Sequence, residues 1–403
     1  MKTISKIFTL LSVLLFMSSC SEDVIEVGGM GYIEVKGLHM TFNKNVINAD
    51  GNDSVTFSVY YDGNDVSDQS SIFLVENGKY TQIGRTFSVD KVGEYIFAAG
   101  YRAEKLLPGD VVKIYAVDRD VPSAPKDDEQ SNTSFVRRAF FNQYTGALCP
   151  NCPYMTYLLK KTLTDGFEDK VVLASIRNYA GEIGFESIST PRFYPYLYID
   201  YISSYPQNGD VSVANYRELQ DLIELSTSGP AKVGISAAPL YFDDGQLIVT
   251  VSVKAAETDE YNVGLWLMQD DYYRDQAFKS DNNGALGGTW VAGKGNPYDY
   301  HNNSVRIAKS EYLGSHVGYP LGKIEAGKTA QWTFLIQANI GQEDSNCDGK
   351  CDISDSWWEG RSKINLDDLH FAAFVTTHKG SRYSVVNAID FKYNETKPFE
   401  YIK

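Results

Sequence analysis

Two cysteines separated by two residues, Cys149-Pro-Asn-Cys152, carry the most reactive spacing in the 403-residue chain. Ahead of them, Ala139-Phe-Phe-Asn-Gln-Tyr144 reads as a strand and Thr145-Gly146 as a turn. Behind them Met155, Leu158, Leu159 and Leu163 recur at helical spacing. Pro150 and Pro153 suit the first turn of a helix, where a missing N–H costs little. A cysteine at a helix N-terminus sits beside unpaired backbone N–H groups and the positive end of the dipole, and both favour the thiolate. Three chemistries fit this pattern. The pair is a disulfide that only fixes its loop, or a redox pair in which Cys149 attacks and Cys152 resolves, or half of a zinc site. No second Cys-x-x-Cys follows to complete a zinc site.

A second stretch has ligand spacing. In Asp344-Ser-Asn-Cys-Asp-Gly-Lys-Cys-Asp-Ile-Ser-Asp355, acidic or amide oxygens stand at positions 1, 3, 5, 9 and 12 (Asp344, Asn346, Asp348, Asp352, Asp355), and Gly349 stands at position 6. That is calcium-loop spacing with Asp in place of the final Glu. Lys350 completes the candidate ligand set. Cys347 and Cys351 fall between the oxygen-bearing positions, so a disulfide between them tightens the loop without removing a ligand. The cofactor expected is calcium in a structural role; the alternative is a polar, solvated turn. The five histidines are scattered. The chain has no His-x-x-x-His pair, no Gly-x-Ser-x-Gly elbow and no phosphate-cradling glycine loop.

The elements that must position these residues fall into segments. Residues 1–20 read as a targeting segment: Lys2 and Lys6 precede an apolar run too short to span a bilayer comfortably, which ends in Met17-Ser-Ser-Cys20. Small residues before a cysteine resemble a lipoprotein signal-peptidase site, which makes Cys20 the candidate lipidated residue. Met17 stands where leucine is usual, and a plain secretory signal is the alternative. Ser21-Glu-Asp23 resembles the acidic tag of surface-exposed lipoproteins. With Cys20 lipidated, the remaining four cysteines form two pairs, which suits an oxidising envelope. The expected membrane partner is therefore lipid reached through Cys20. A net charge of -15 argues against nucleic acid and anionic surfaces as partners.

Residues 21–120 show short alternating strands punctuated by Asn48-Ala-Asp-Gly51 and Asp62-Gly-Asn-Asp65 turns, the pattern of a β-sandwich. Residues 121–134 are polar with two prolines and read as a linker. Residues 135–230 hold the cysteine pair, a buried-type strand at 171–177 and a helix at 217–225. Strand, Cys-x-x-Cys and helix in that order are the arrangement of thioredoxin-like proteins. Those proteins set a cis-proline against the cysteines, and Pro206 is the candidate, with Pro191 and Pro195 as substitutes. The run Tyr194, Leu197, Tyr198, Tyr201, Ile202, Tyr205 has helical spacing; its tyrosines read as core or as a sugar-binding platform. A further strand is expected at 211–216. From 231 to 403 the pattern turns to β, with strands expected at 232–237, 246–254, 262–268, 331–337, 369–377 and 382–389, forming an antiparallel sandwich. The fold class expected is multidomain and mostly β with one α/β unit.

Two resemblances follow from these residues. Ala49-Asp-Gly-Asn-Asp-Ser-Val-Thr-Phe57 with Val92-Gly-Glu-Tyr-Ile-Phe-Ala-Ala99 is similar to a bacterial immunoglobulin-like domain. Tyr144-Thr-Gly-Ala-Leu-Cys-Pro-Asn-Cys-Pro153, with Tyr300-His-Asn, Val305-Arg306 and Val386-Asn-Ala388, resembles the outer membrane protein 28-related lipoprotein family over about residues 135–395. That resemblance implies an outer-membrane or surface lipoprotein with a thioredoxin-like domain and a C-terminal sandwich. It implies no single activity: adhesion to an unknown protein or glycan ligand, and thiol–disulfide exchange by Cys149 and Cys152, both follow from it.

Overall fold

The computed structural model describes residues 37–102, 104–105, 111–179, 191, 193–206, 215–278, 297–311, 315–338, 366–379 and 382–403. It is a mostly β, multi-sheet molecule with two α-helices among the described residues.

The front part is built from β1 (Leu38–Phe42), β2 (Val46–Asn48), β3 (Ser54–Tyr61), β4 (Asn64–Asp65), β5 (Ser71–Glu76), β6 (Lys79–Ile83), β7 (Thr86–Ser88), β8 (Gly93–Tyr101), β9 (Glu104–Lys105) and β10 (Val112–Val117). One sheet runs β1-β3-β4 with β7 also on β3; the other runs β2-β10-β8-β5-β6 with β9 on β8. In β3, Val55, Phe57 and Val59 are buried while their neighbours are not, the period-two signature of a strand covered on one face. Their rings and methyls meet Ile72, Phe97 and Ile114 of the second sheet. The turn ahead of β3 is closed by Asp50, which accepts from the backbone N–H groups of Asn52 and Asp53.

The rear part begins with β11 (Ala139–Tyr144), α1 (Cys152–Thr162) and β12 (Val171–Ile176), then β13 (Tyr196–Ile199), β14 (Ser203–Tyr205) and α2 (Tyr216–Ser226). β12 lies parallel to β11, β13 antiparallel to it on the other side, and β14 antiparallel to β13. Every residue of β11 is buried. Phe141 faces α1 and α2, where Met155, Leu159, Leu219 and Ile223 pack on it. Phe140 faces the other way and stacks on Phe374 at 4.7 Å, with Trp266 at 5.3 Å.

The helix expected across 194–205 does not form. β13 and β14 occupy that stretch, with Asp200 and Tyr201 turning the chain at positive φ. The apolar residues alternate between faces: Tyr196 and Tyr198 lie with the Phe140 side, Leu197 and Ile199 with the helix side. Aromatic and branched residues buried on both faces suit a strand. The strand expected at 211–216 lies largely outside the described residues, and Tyr216 itself opens α2. Asn215 caps that helix by accepting from Glu218 N at 2.9 Å.

The remaining strands are β15 (Val233–Tyr241), β16 (Gln246–Ala255), β17 (Asp259–Gln269), β18 (Tyr272–Tyr273), β19 (Tyr300–His301), β20 (Ser304–Lys309), β21 (Tyr319–Ile324), β22 (Thr329–Gln337), β23 (Leu369–Lys379) and β24 (Arg382–Lys392). The expected strands after residue 231 each match one of these to within a residue at the ends they overrun, and β18, β19, β20 and β21 are additional. Not all of them build sheets of their own. β12 meets β20 at Ser175 and Ser304, so one nine-stranded sheet runs β14-β13-β11-β12-β20-β17-β23-β24, with β21 on β17. A three-stranded sheet, β15-β16-β22, packs on the β17-β23-β24 half through Val249, Val251, Leu265, Phe371 and Phe391. The expected boundary at residue 230 thus crosses a continuous sheet. Gly264 marks how tightly this sheet is packed: a Cβ there would lie 2.3 Å from the Phe374 ring.

The expected linker is docked. Lys254, 1% exposed, pairs with Asp127 at 2.7 Å and donates to Glu129 O and Tyr401 Oη. Asn45 joins the front part to the rear by a reciprocal pair with Thr333: Asn45 Nδ2 to Thr333 O and Thr333 N to Asn45 Oδ1, both 2.7 Å.

Candidate functional site: the cysteine turn and its cover

β11 ends at Tyr144, and the chain turns through Thr145 to Asn151 before α1 begins at Cys152. Thr145 N donates to Ile176 O, which ties the start of the turn to the end of β12. Cys149 N donates to Gly146 O and Cys152 N to Cys149 O, two tight turns in succession. The sulfurs of Cys149 and Cys152 lie at disulfide distance, 2.17 Å, with Cα atoms 5.4 Å apart. Cys149 precedes the first helical residue by one tight turn, and Pro153 occupies the first turn of the helix.

Of the prolines considered, Pro195 and Pro206 both follow cis bonds. Pro195 immediately precedes β13, whose Tyr196 pairs with Tyr144 at the last residue of β11, so it adjoins the cysteine turn. Pro206 follows β14, one strand further out. Cys20, Cys347, Cys351 and the candidate calcium ligands Asp344, Asn346, Asp348, Lys350, Asp352 and Asp355 lie outside the described residues.

The pair is closed in. Cys149 is 2% exposed and Cys152 0%, although Leu148 next to them is 50% exposed. The segment 274–278, which follows β18, is bonded to this turn. Ala277 N donates to Ala147 O at 2.7 Å. Gln276 Nε2 reaches Ala147 O at 2.9 Å and Cys149 O at 3.0 Å. The segment is itself held by Asp299, whose Oδ1 accepts from Gln276 N and whose backbone O accepts from Arg274 N, both at 2.8 Å. His301, on β19, sets Nε2 at 3.2 Å from Arg274 O. Burial, then the charge of Arg177, holds the His301 imidazole well below its usual range, so it is neutral at pH 7. Gln276 and Asp299 are absent from the sequence expectations: Asp299 stands in the Gly- and Asn-rich stretch 279–300 and Gln276 just ahead of it, with no periodicity to mark either.

A second polar cluster lies at the end of β17. His370 Nδ1 is 2.8 Å from Asp390 Oδ2 and its Nε2 is 3.4 Å from Asp270 Oδ1. Burial opposes the charged ring, but the two carboxylates outweigh it and raise its pKa to about 9. The carboxylates sit on opposite ring nitrogens, an ion-pair clamp across β23, β24 and the end of β17. Among the described residues, no group of three or more His, Cys, Asp or Glu side chains is arranged to hold a metal ion.

No protein-family model matches the chain, and no curated protein matches it. Among solved structures, the chain is similar to HBP35 of Porphyromonas gingivalis, at 12% identity and a TM-score of 0.44 over 66% of this chain and 78% of that one. It is also similar to a domain of the outer membrane lipoprotein Omp28 from Porphyromonas gingivalis, at 15% identity and a TM-score of 0.21 over 41% of this chain and 89% of that one. At these scores the likeness carries no residue role to this chain.

Proposed function

We propose that the chain is a surface or outer-membrane lipoprotein that serves in binding or adhesion, or as structure, with a protein or glycan as its ligand. In this reading Cys20 carries the lipid and the front part is an immunoglobulin-like spacer. β11, α1, β12, β13, β14 and α2 form a thioredoxin-like unit, built into the same body as a C-terminal β-sandwich. The parallel β11–β12 pair with its helical crossover, and the antiparallel β13–β14 hairpin beyond it, support that assignment. The observation that carries the non-enzymatic reading is the burial of both cysteines. A disulfide acts on a partner only when a thiolate can reach one of its sulfurs.

The alternative, an extracytoplasmic thiol–disulfide oxidoreductase with Cys149 attacking, Cys152 resolving and a cis-proline aligning the substrate, draws support from the turn's place between β11 and α1. One redox titration of the folded protein separates the two. A potential below about -300 mV, typical of structural bridges, supports the scaffold; a higher potential together with dithiol-dependent reductase activity replaces it with the oxidoreductase. Binding is tested on immobilised envelope glycans and host matrix proteins, and absence of binding to every one removes the adhesion role.

Calcium belongs to the same proposal, held structurally by Asp344, Asn346, Asp348, Lys350, Asp352 and Asp355. Excess chelator then lowers the melting temperature of the wild type and leaves Asp348→Ala unmoved. An unchanged wild-type melting temperature removes the metal.

A further inference from the structure

The hold on the cysteine turn is more specific than burial alone. Gln276 is 3% exposed, and its side-chain amide faces three carbonyl oxygens, those of Ala147, Cys149 and Ala277, at 2.9, 3.0 and 2.9 Å. An amide has two N–H hydrogens, so one is shared. Two of those acceptors belong to the cysteine turn itself. The same turn takes a backbone bond from Ala277 N, and Cys149 O also accepts from Cys152 N. The strap's other end is fixed at Asp299, which is 0% exposed. The backbone of Cys149 is therefore shared between the bridge on one side and the strap on the other.

We infer that Gln276 is a latch on the Cys149–Cys152 pair: its amide holds the turn that carries Cys149 shut while the pair is oxidised and loses its grip when the pair is reduced. Bonded sulfurs lie well inside van der Waals contact, whereas two thiols must separate to it, about 3.5 Å or more. Both cysteines are buried, and the Cys149 backbone that must shift as the sulfurs part is the one Gln276 holds. Coupling is reciprocal: if reduction loosens the strap, the strap disfavours reduction. Opening the strap leaves Cys149 beside the exposed Leu148, at a turn a partner chain can reach.

The chemistry of opening is ordinary exchange. A thiolate of dithiothreitol attacks one sulfur of the pair, forming a mixed disulfide and expelling the other sulfur as thiolate. The reagent's second thiol then displaces the mixed disulfide and leaves as a cyclic disulfide. Two electrons pass from reagent to protein, and two protons end on Cys149 and Cys152.

The inference shares with the proposal above only the buried pair and requires no ligand. Its test compares the folded full chain with Gln276→Met, which keeps the volume and removes the donors. The rate of reduction by excess dithiothreitol is followed by alkylation and mass shift at Cys149 and Cys152. The latch predicts reduction at least about tenfold faster in the variant, from loss of its amide's hydrogen bonds. A wild-type rate in a natively folded variant overturns it. In case the variant does not fold, hydrogen exchange at the Ala277 amide is measured in the wild type before and after reduction. Faster exchange in the reduced protein upholds the latch, and equal exchange overturns it. The wild-type potential decides between scaffold and oxidoreductase whatever the ratio of rates.

Discussion

β3 of the front part and β11 of the rear part are both apolar strands at the centre of a core, yet they depend on different amounts of chain. β3 buries alternate residues, and the side chains that cover Phe57 all come from residues 38–116. β11 is buried at every position. One of its faces is covered by helices that follow it closely, the other by Trp266 and Phe374, which lie more than a hundred residues on. A strand covered on one face can be completed by its own neighbourhood. A strand covered on both needs partners that the local chain does not supply.

The most severe way to break this contrast is truncation. Residues 37–120 alone are expected to fold cooperatively, whereas residues 135–230 alone are expected to remain unfolded, as read by far-UV circular dichroism and thermal melting. A stable 135–230 fragment would sink the claim that the rear part is one body. Next in size is a matched pair of cavity variants, Phe57→Ala and Phe140→Ala, each expected to cost about 3–5 kcal/mol. They separate in extent: hydrogen exchange rises only within the front part for the first, and in β11, β17 and β23 together for the second. Asp127→Ala is expected to cost about 2–3 kcal/mol, because it leaves the buried Lys254 ammonium without its carboxylate; equilibrium denaturation checks it. The smallest effect is a pH dependence confined to the rear part. The pKa of His370 is about 9 in the folded state against 6.5 in an unfolded chain. Its contribution is whole below pH 6.5, declines between 6.5 and 9, and is gone above 9. After allowance for the half-exposed carboxylates, that amounts to about 2 kcal/mol. Denaturation of the wild type and His370→Asn at pH 6 and pH 9.5 measures it, and a wild type equally stable at both values would remove the clamp.

The sequence made legible whatever depended on local order. Alternation at 54–61 marked β3, and the apolar run at 171–177 marked a strand covered on both faces. The strand–cysteines–helix order around Cys149 is also there in the fold. Tyr194 to Tyr205 misled because aromatic residues spaced for a helix face also satisfy two strands joined by a turn. The joining of β12 to β20 left no mark, since one pair of serines makes it. Gln276 was invisible for a related reason: its acceptors on the cysteine turn lie 129 and 127 residues away, and an isolated glutamine in a polar loop announces nothing.

The docking of Asp127 on Lys254 has a mechanical meaning. Tension drawn through the front part reaches this contact before it reaches β11. Beyond it stand the backbone bonds of Val136 to Glu400 and Ala231 to Phe135. The connecting segment therefore transmits a pull like a clamped cable instead of paying out slack, and the domain in front is held as an outrigger at fixed reach from the body behind.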